Sequence, residues 1–377
     1  MVRLDKICTI NMGQSPDSST YNAEHNGLPF FQGNADFGEI HPSVRMWCSE
    51  PSKIARENDI LISVRAPIGA LNIANCECCI GRGLAALTVN NDICTREYLW
   101  YALSSKIDEL NSKGTGSTFK AVNKSTLSET EIPLPPLDEQ RHIAATLDKV
   151  TDLISKRRQQ LDKLDELVNA RFVEMFGDPV SNPYDWNLRG LLQLGDCKNG
   201  MNFHSTDIGV NVHCLGVGDF KNLSCISDTS KLPTVSLTGM PSDEYMLKDG
   251  DIVFVRSNGN KALVGRSLVV YPATTPTTFS GFCIRFRLHC DEVKADYLLR
   301  VLKTDSIRKK MAGRGANIQN LNQKILGELQ IPVPPLDLQN QYTGFVEQIE
   351  KTKVTISHSL ERLETLKKAL MQEYFGS

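Results

Sequence analysis

No apolar run in this 377-residue chain approaches the roughly 18 residues a membrane-spanning helix needs. The opening residues Met1-Val2-Arg3-Leu4-Asp5-Lys6 also lack the apolar core of a signal peptide, so a cytoplasmic protein is expected. No Gly-x-Gly-x-x-Gly or Walker-type loop follows a strand-like run, which argues against nucleotide chemistry. The seven His are dispersed: His41, His204 and His213 show no metal-ligand spacing. Asp/Glu pairs with a nearby catalytic Lys, as a nuclease needs, are not convincing in this sequence. The 11 Cys form an odd number without framework spacing, which fits reduced thiols better than disulfides. Their one cluster, Cys76-Glu77-Cys78-Cys79, lacks a second Cys-x-x-Cys or a His pair, so small buried hydrophobes are expected there and no metal site. Charge of one sign is missing too, with 42 Lys+Arg against 44 Asp+Glu and a net charge of −2. Any nucleic-acid contact must then come from local patches.

What the chain does have is a repeat. Ile132-Pro133-Leu134-Pro135-Pro136-Leu137-Asp138-Glu139-Gln140 returns 199 residues later as Ile331-Pro332-Val333-Pro334-Pro335-Leu336-Asp337-Leu338-Gln339. A long helical pattern follows each copy and ends in Phe176-Gly177 or Phe375-Gly376, with the offset unchanged. Half the chain is therefore one repeat unit. Two tandem copies can form a pseudo-two-fold object suited to a partner with two-fold character, such as duplex DNA.

Four segments are expected: globular 1–130 and 179–330, helical 131–178 and 331–377. Only 179–330 is basic as a whole, with 18 Lys+Arg against 14 Asp+Glu. In the first globular segment, strand-like runs at 59–65 and 83–89 precede an amphipathic helix opening at Glu97. The same order returns at 251–256, 281–288 and 296–302. Gly-rich loops at 114–118 and 313–317 then lead into the Pro-rich turns. The globular segments share a plan but few residues, whereas the helical segments share many.

The helices carry a seam at spacings of three, four and seven. It runs through Leu147, Val150, Ile154, Leu161, Leu164, Val168 and Met175, then through Val346, Ile349, Ile356, Leu360, Leu363 and Leu370. Asp138 and Asp337 are expected at the helix N-termini. Core-facing helices are the plain alternative. The length favours a coiled coil: nearly 40 residues, roughly 55 Å, is more than a compact domain needs. Two such helices would pack antiparallel and hold the globular parts apart. Asn182-Pro183-Tyr184-Asp185 shares part of the Asn-Pro-Pro-Tyr motif of adenine methyltransferases. It lacks the second Pro and lies in a linker run, so no catalytic residue is assigned.

In four features the sequence resembles the specificity (S) subunits of type I restriction–modification systems. The first is the duplicated Ile-Pro-hydrophobic-Pro-Pro-Leu-x-x-Gln before each long helix. The second is Glu174-Met175-Phe176-Gly177-Asp178-Pro179 followed by Asn182-Pro183-x-x-Trp186. The third is the opening Met12-Gly13-Gln14-Ser15-Pro16 with Tyr21-Asn22 and Gly27-Leu28-Pro29-Phe30-Phe31-Gln32-Gly33. The last is the domain order. The resemblance spans essentially the whole chain. It implies an α+β protein with two mixed α/β target-recognition domains, each reading half of a split double-stranded DNA site. Two long antiparallel coiled-coil helices would join them and bind two modification (methyltransferase) subunits, with restriction subunits completing the nuclease. It also implies no catalysis and no cofactor in this chain: S-adenosylmethionine, ATP and Mg are expected only in the partner subunits.

A recognition domain needs cations for phosphates and polar groups for base edges. Gln14, Ser15 and Asn258 are candidate base readers, and Lys261 lies in the loop after Asn258. Arg65 and Arg256 end equivalent strands beside loops; DNA contact and a structural or solvated role both stay open. Lys113, Lys120 and Lys124 flank the first Gly-rich loop, and Arg314 and Lys324 the second. Arg308-Lys309-Lys310 is either a phosphate patch or a charged helix face. Leu147, Ile154, Leu161, Leu164, Ile356, Leu360 and Leu363 are expected to pack the helices. The rival functions are a modification enzyme with an unrecognised active site and a coiled-coil adaptor without a nucleic-acid role.

Overall fold

The computed structural model describes residues 1–114, 120–203, 208–220, 223–312 and 320–376. The chain packs as two compact mixed α/β units, Met1–Gln159 with Ser357–Ser377, and Gln160–Ile356. The division falls inside the two long helices, Leu137–Phe176 and Leu336–Phe375, each of 40 residues. Asp138 and Asp337 sit in their first turns, where the helix dipole favours a carboxylate.

The first unit is built on a four-stranded antiparallel sheet in the spatial order Cys8–Met12, Leu84–Val89, Ile60–Ser63, Leu71–Ile73. Successive side chains of a strand face opposite ways. Ile60, Ile62, Ala85 and Leu87 enter a core shared with helix Arg96–Ser105. Leu61, Leu84 and Ala86 enter a second core against Phe31 and Ile80. Both faces of these strands are covered, which is why the sequence runs are continuously apolar rather than alternating. Phe31 and Ile80 belong to a five-stranded sheet of short strands that includes the parallel pair Leu28–Phe31 and Cys78–Ile80.

The second unit repeats the plan. Its five-stranded sheet runs Gly195–Asn199, Cys283–Leu288, Asp251–Val255, Ser267–Val270, Cys225–Ile226. Ile252, Phe254, Ile284 and Phe286 face the helices, including Ala295–Lys303. Val253, Val255, Leu268 and Cys283 face a separate core with Phe279. A bidentate pair joins these strands: half-buried Arg287 donates through Nε and Nη2 to buried Asp251 at 2.8 and 2.7 Å.

The repeated motif has one structural job in both units. Gln140 is fully buried; its Oε1 accepts from Thr95 N at 2.9 Å and its Nε2 donates to Ile93 O and Pro135 O. Gln339 does the same with Lys294 N, Glu292 O and Pro334 O. Tyr98 Oη donates to Pro133 O and Tyr297 Oη to Pro332 O. Each Tyr also packs on a helix-ending Phe. In the first unit Tyr98 lies 5.3 Å from Phe375, and in the second Tyr297 lies 4.9 Å from Phe176. The Phe that closes each core thus comes from the other copy of the repeat.

The methyltransferase-like segment is a helix stop. Gly177 takes φ +74°, where a Cβ would meet Pro183 Cγ. Trp186 Nε1 donates to Phe176 O at 3.1 Å, Tyr184 Oη to Glu174 O, and Asn182 is bonded to the Trp186 backbone in both directions. Two carbonyls at the helix end are satisfied in this way.

Candidate nucleic-acid interface

In the first unit the chain crosses close to itself. Gly13 N donates to Leu84 O, and a Cβ on Gly13 would overlap Gly81 O, so only glycine allows the approach. The crossing brings Ser15 against two residues far away in sequence. Gln32 Nε2 donates to Ser15 Oγ at 2.9 Å, and Arg82 N donates to the same oxygen at 3.3 Å. With Tyr21, Arg45 and Arg82 they line an open concavity of about 440 Å³. Arg45 and Arg82 are exposed there, so two cations flank polar groups able to read base edges. Gln14 has an exposed side chain beside this concavity, while its backbone bonds Ile80 and Ser52. Sequence reasoning named Gln14 and Ser15 but missed Gln32, Arg45 and Arg82 as site residues. Their only sequence signal was the glycine content of the crossing strands.

A second group forms where Arg65 bridges Ala121. Lys120 and Lys124 are exposed on either side of that bridge, so three cations meet at one edge. Lys113 is different: its Nζ is paired with Glu109 at 2.6 Å, which neutralises it locally. The core of the Gly-rich loop, 115–119, lies outside the described residues.

In the second unit Leu321 N donates to Arg256 O, as Val122 N donates to Val64 O in the first. Arg256 therefore matches Val64 in register, one place before Arg65. Its side chain is half-buried, with Nη1 3.4 Å from Gly281 O, whereas Arg65 is exposed. Phe282, 61% exposed, accepts from Arg256 N through its backbone carbonyl. Asn258 Oδ1 is taken by Asn260 N in a turn that leads into Lys261–Leu263, where Lys261 is exposed. Lys324 is exposed on helix Gln323–Gly327, which Asn322 caps. Arg308 turns inward and donates to Gly265 O at 3.0 Å, while Lys309 stays exposed. Arg314 lies outside the described residues.

Among the helix-packing candidates Leu147 and Ile154 are buried, and Leu161, Leu164, Ile356, Leu360 and Leu363 are half-buried. Cys78 and Cys79 are fully buried. Loss of solvation is the main cause that pushes their thiols up to about 12 and about 11, so both stay protonated and behave as small hydrophobes. Among the described residues no helix is long and apolar enough to cross a membrane.

These duplicated units, each with polar and cationic groups at its strand ends, are met by a family profile. The type I restriction modification DNA specificity domain profile matches residues 1–165 and 218–368. The chain belongs to this family. The specificity-domain chain is 43% identical over 162 residues to a putative type I restriction enzyme MjaX specificity subunit of Methanocaldococcus jannaschii. That stretch is 43% of this chain and only 38% of the relative. It is 24% identical over 337 residues to the type I restriction enzyme MjaVIII specificity subunit of the same organism, covering 84% of this chain and 78% of the relative. Among solved structures, the type I restriction-modification system S subunit from M. genitalium shares its fold. The TM-score is 0.59 at 17% identity, over 100% of this chain and 95% of that one.

Proposed function

We propose that this chain is the DNA-sequence specificity subunit of a type I restriction–modification complex. Residues 1–130 and 179–330 are target-recognition domains, each reading one half of a bipartite site. Residues 131–178 and 331–377 are the spacer, an antiparallel coiled-coil pair related by a pseudo-two-fold axis. The chain performs no chemistry itself; it docks two methyltransferase subunits and the restriction subunits in the cytoplasm. S-adenosylmethionine, ATP and Mg act in those partners.

One observation carries this reading: the same sheet order recurs in both units with different residues at matching ladder positions. Arg82-Gly83 in the first stand where Gly281-Phe282 stand in the second. A common scaffold with unlike surfaces suits two readers of unlike half-sites. The helix-end exchange supports the spacer, because Phe176 and Phe375 each complete the core built around the other repeat's Tyr. Two weak readers on one spacer gain affinity by effective concentration only when both half-sites lie at the permitted separation.

The test is an exchange of residues 1–130 for another recognition domain in the assembled complex, with methylated adenines mapped across a genome. One half-site is expected to change while the other half and the spacing persist. A change in both halves, or in neither, ends the reading.

A further inference from the structure

A cavity of about 720 Å³ lies within the second unit. Its lining residue Arg266 accepts from Val255 N, next to Arg256, so the cavity adjoins that strand end. It opens between the end of the first long helix, the turn at Asp178, helix Ala295–Lys303, helix Asp305–Ala312 and the start of strand Ser267–Val270. That volume falls within the roughly 300–1,000 Å³ typical of small-molecule sites.

Its lining is cationic. Arg266, Arg300, Lys303 and Arg308 line it together with Asp178 and Asp305. Neutral groups hold two of the cations: Lys303 Nζ donates to Ser224 Oγ at 2.7 Å, and Arg308 Nη1 to Gly265 O at 3.0 Å. Asp178 is occupied by the backbone N–H groups of Val180 and Ser181. Two buried polar atoms of lining residues, Arg300 Nε and Ser267 Oγ, have no hydrogen-bond partner among the described residues, and Ser267 is only 2% exposed. Burial first, then the Arg300 and Lys353 charges, push the Lys303 ammonium down to about 8, and an anion would relieve that.

We propose that this cavity is a binding site for a small phosphate-bearing molecule, with Arg300, Lys303 and Arg308 holding the phosphoryl oxygens. Guanidinium and ammonium groups make charge-assisted bonds to phosphate. The cations sit recessed among buried groups, which suits a compact ligand better than the convex backbone of a duplex.

The experiment titrates the full chain with inorganic phosphate, pyrophosphate and adenosine 5′-monophosphate by calorimetry, in chloride at constant ionic strength. Random-sequence duplex DNA is then added as competitor. Saturable binding of at least one phosphate compound is expected, unaffected by the duplex. Phosphate and pyrophosphate binding without the nucleotide assigns the site to a free phosphate, and tighter nucleotide binding assigns it to a phosphate monoester. Lys303→Met, which removes a desolvated charge and should fold, is expected to weaken binding roughly ten- to a hundredfold. Arg300→Met should do likewise, and Lys231→Ala, exposed and outside the cavity lining, should leave affinity unchanged. Cooperative melting of the ligand-free variants shows that each is folded. No saturable binding, equal affinity in folded Lys303→Met, or displacement of the ligand by duplex DNA overturns the proposal.

Discussion

The side-chain carbonyl of Gln339 accepts the backbone N–H of Lys294 at 2.9 Å. Lys294 is the N-cap residue of helix Ala295–Lys303 and has no side-chain cap of its own, so a glutamine 45 positions away supplies contacts that a local cap would otherwise make. Gln140 makes the matching bond to Thr95, the N-cap residue of Arg96–Ser105. Truncating either Gln strands buried backbone groups. Gln339→Ala and Gln140→Ala should each lower unfolding free energy by about 1–3 kcal/mol. Urea denaturation measures it; a decrease under a few tenths would mean that the motif glutamines do not hold these helices.

Arg287 and Asp251 form a two-bond pair with the carboxylate 1% exposed. Arg287→Ala leaves the buried carboxylate without its cation and should cost about 3–5 kcal/mol, whereas Asp251→Ala leaves a half-buried guanidinium still bonded to Met246 O and should cost less. The double variant should cost clearly less than the two added together. A double-mutant cycle showing simple additivity would remove the pair from the account of this unit's stability.

Lys303 gives the second unit a pH signature. Its folded value of about 8 lies below its ordinary 10.5, mainly through desolvation. Between those values the folded state binds fewer protons than the unfolded one, so stability rises with pH across that window. Below about 8 the cost of keeping the ammonium charged is fully present. In phosphate-free buffer, denaturation at pH 8 and pH 10 should show Lys303→Met lacking a rise of roughly 1–2 kcal/mol, after allowing for solvent screening at this half-buried site. Parallel pH curves for the two proteins would contradict this.

On the proposed recognition surface, exposed cations with no partner among the described residues should differ from paired ones. Lys120→Ala and Lys124→Ala are expected to weaken duplex binding by the assembled complex. Each should also reduce the salt slope by about 0.9 for every phosphate it no longer neutralises. Lys113, already held by Glu109, should matter little. Binding measured from low to moderate salt gives the slopes, and equal weakening in Lys113→Ala would mean that all three act through stability.

Arg82→Ala addresses specificity instead. Its side chain is exposed beside Ser15 and Gln32, at a ladder position occupied by Gly281 in the second unit. The variant should relax discrimination at one half-site by roughly 1–3 kcal/mol for each base edge that the guanidinium no longer reads, and leave the other half-site intact. Methylation-site mapping reads this directly; uniform weakening at both halves would argue for a general stability defect.

Much of the fold was legible from residue order and type. The strand at 59–65 and the helix opening at Glu97 are found as Ile60–Ser63 and Arg96–Ser105. Their counterparts after residue 250 are found as Asp251–Val255 and Ala295–Lys303. The candidate site was much less legible. Arg65 and Arg256 read as equivalent, yet the ladder places them one residue apart and so on opposite faces. Arg308 read as part of a surface run beside Lys309, yet it donates into a cavity wall.

By itself the sequence determined the duplication, the long helices and which runs are buried, because periodicity and turn chemistry act between near neighbours in the chain. The tertiary structure alone decided that Ser15 meets Gln32 and Arg82, that Tyr98 takes Phe375 while Tyr297 takes Phe176, and which cations turn inward. Those meetings join residues tens to hundreds of positions apart. Strand register and the crossing of loops set them, and a one-residue slip in register sends a side chain to the other face of its sheet.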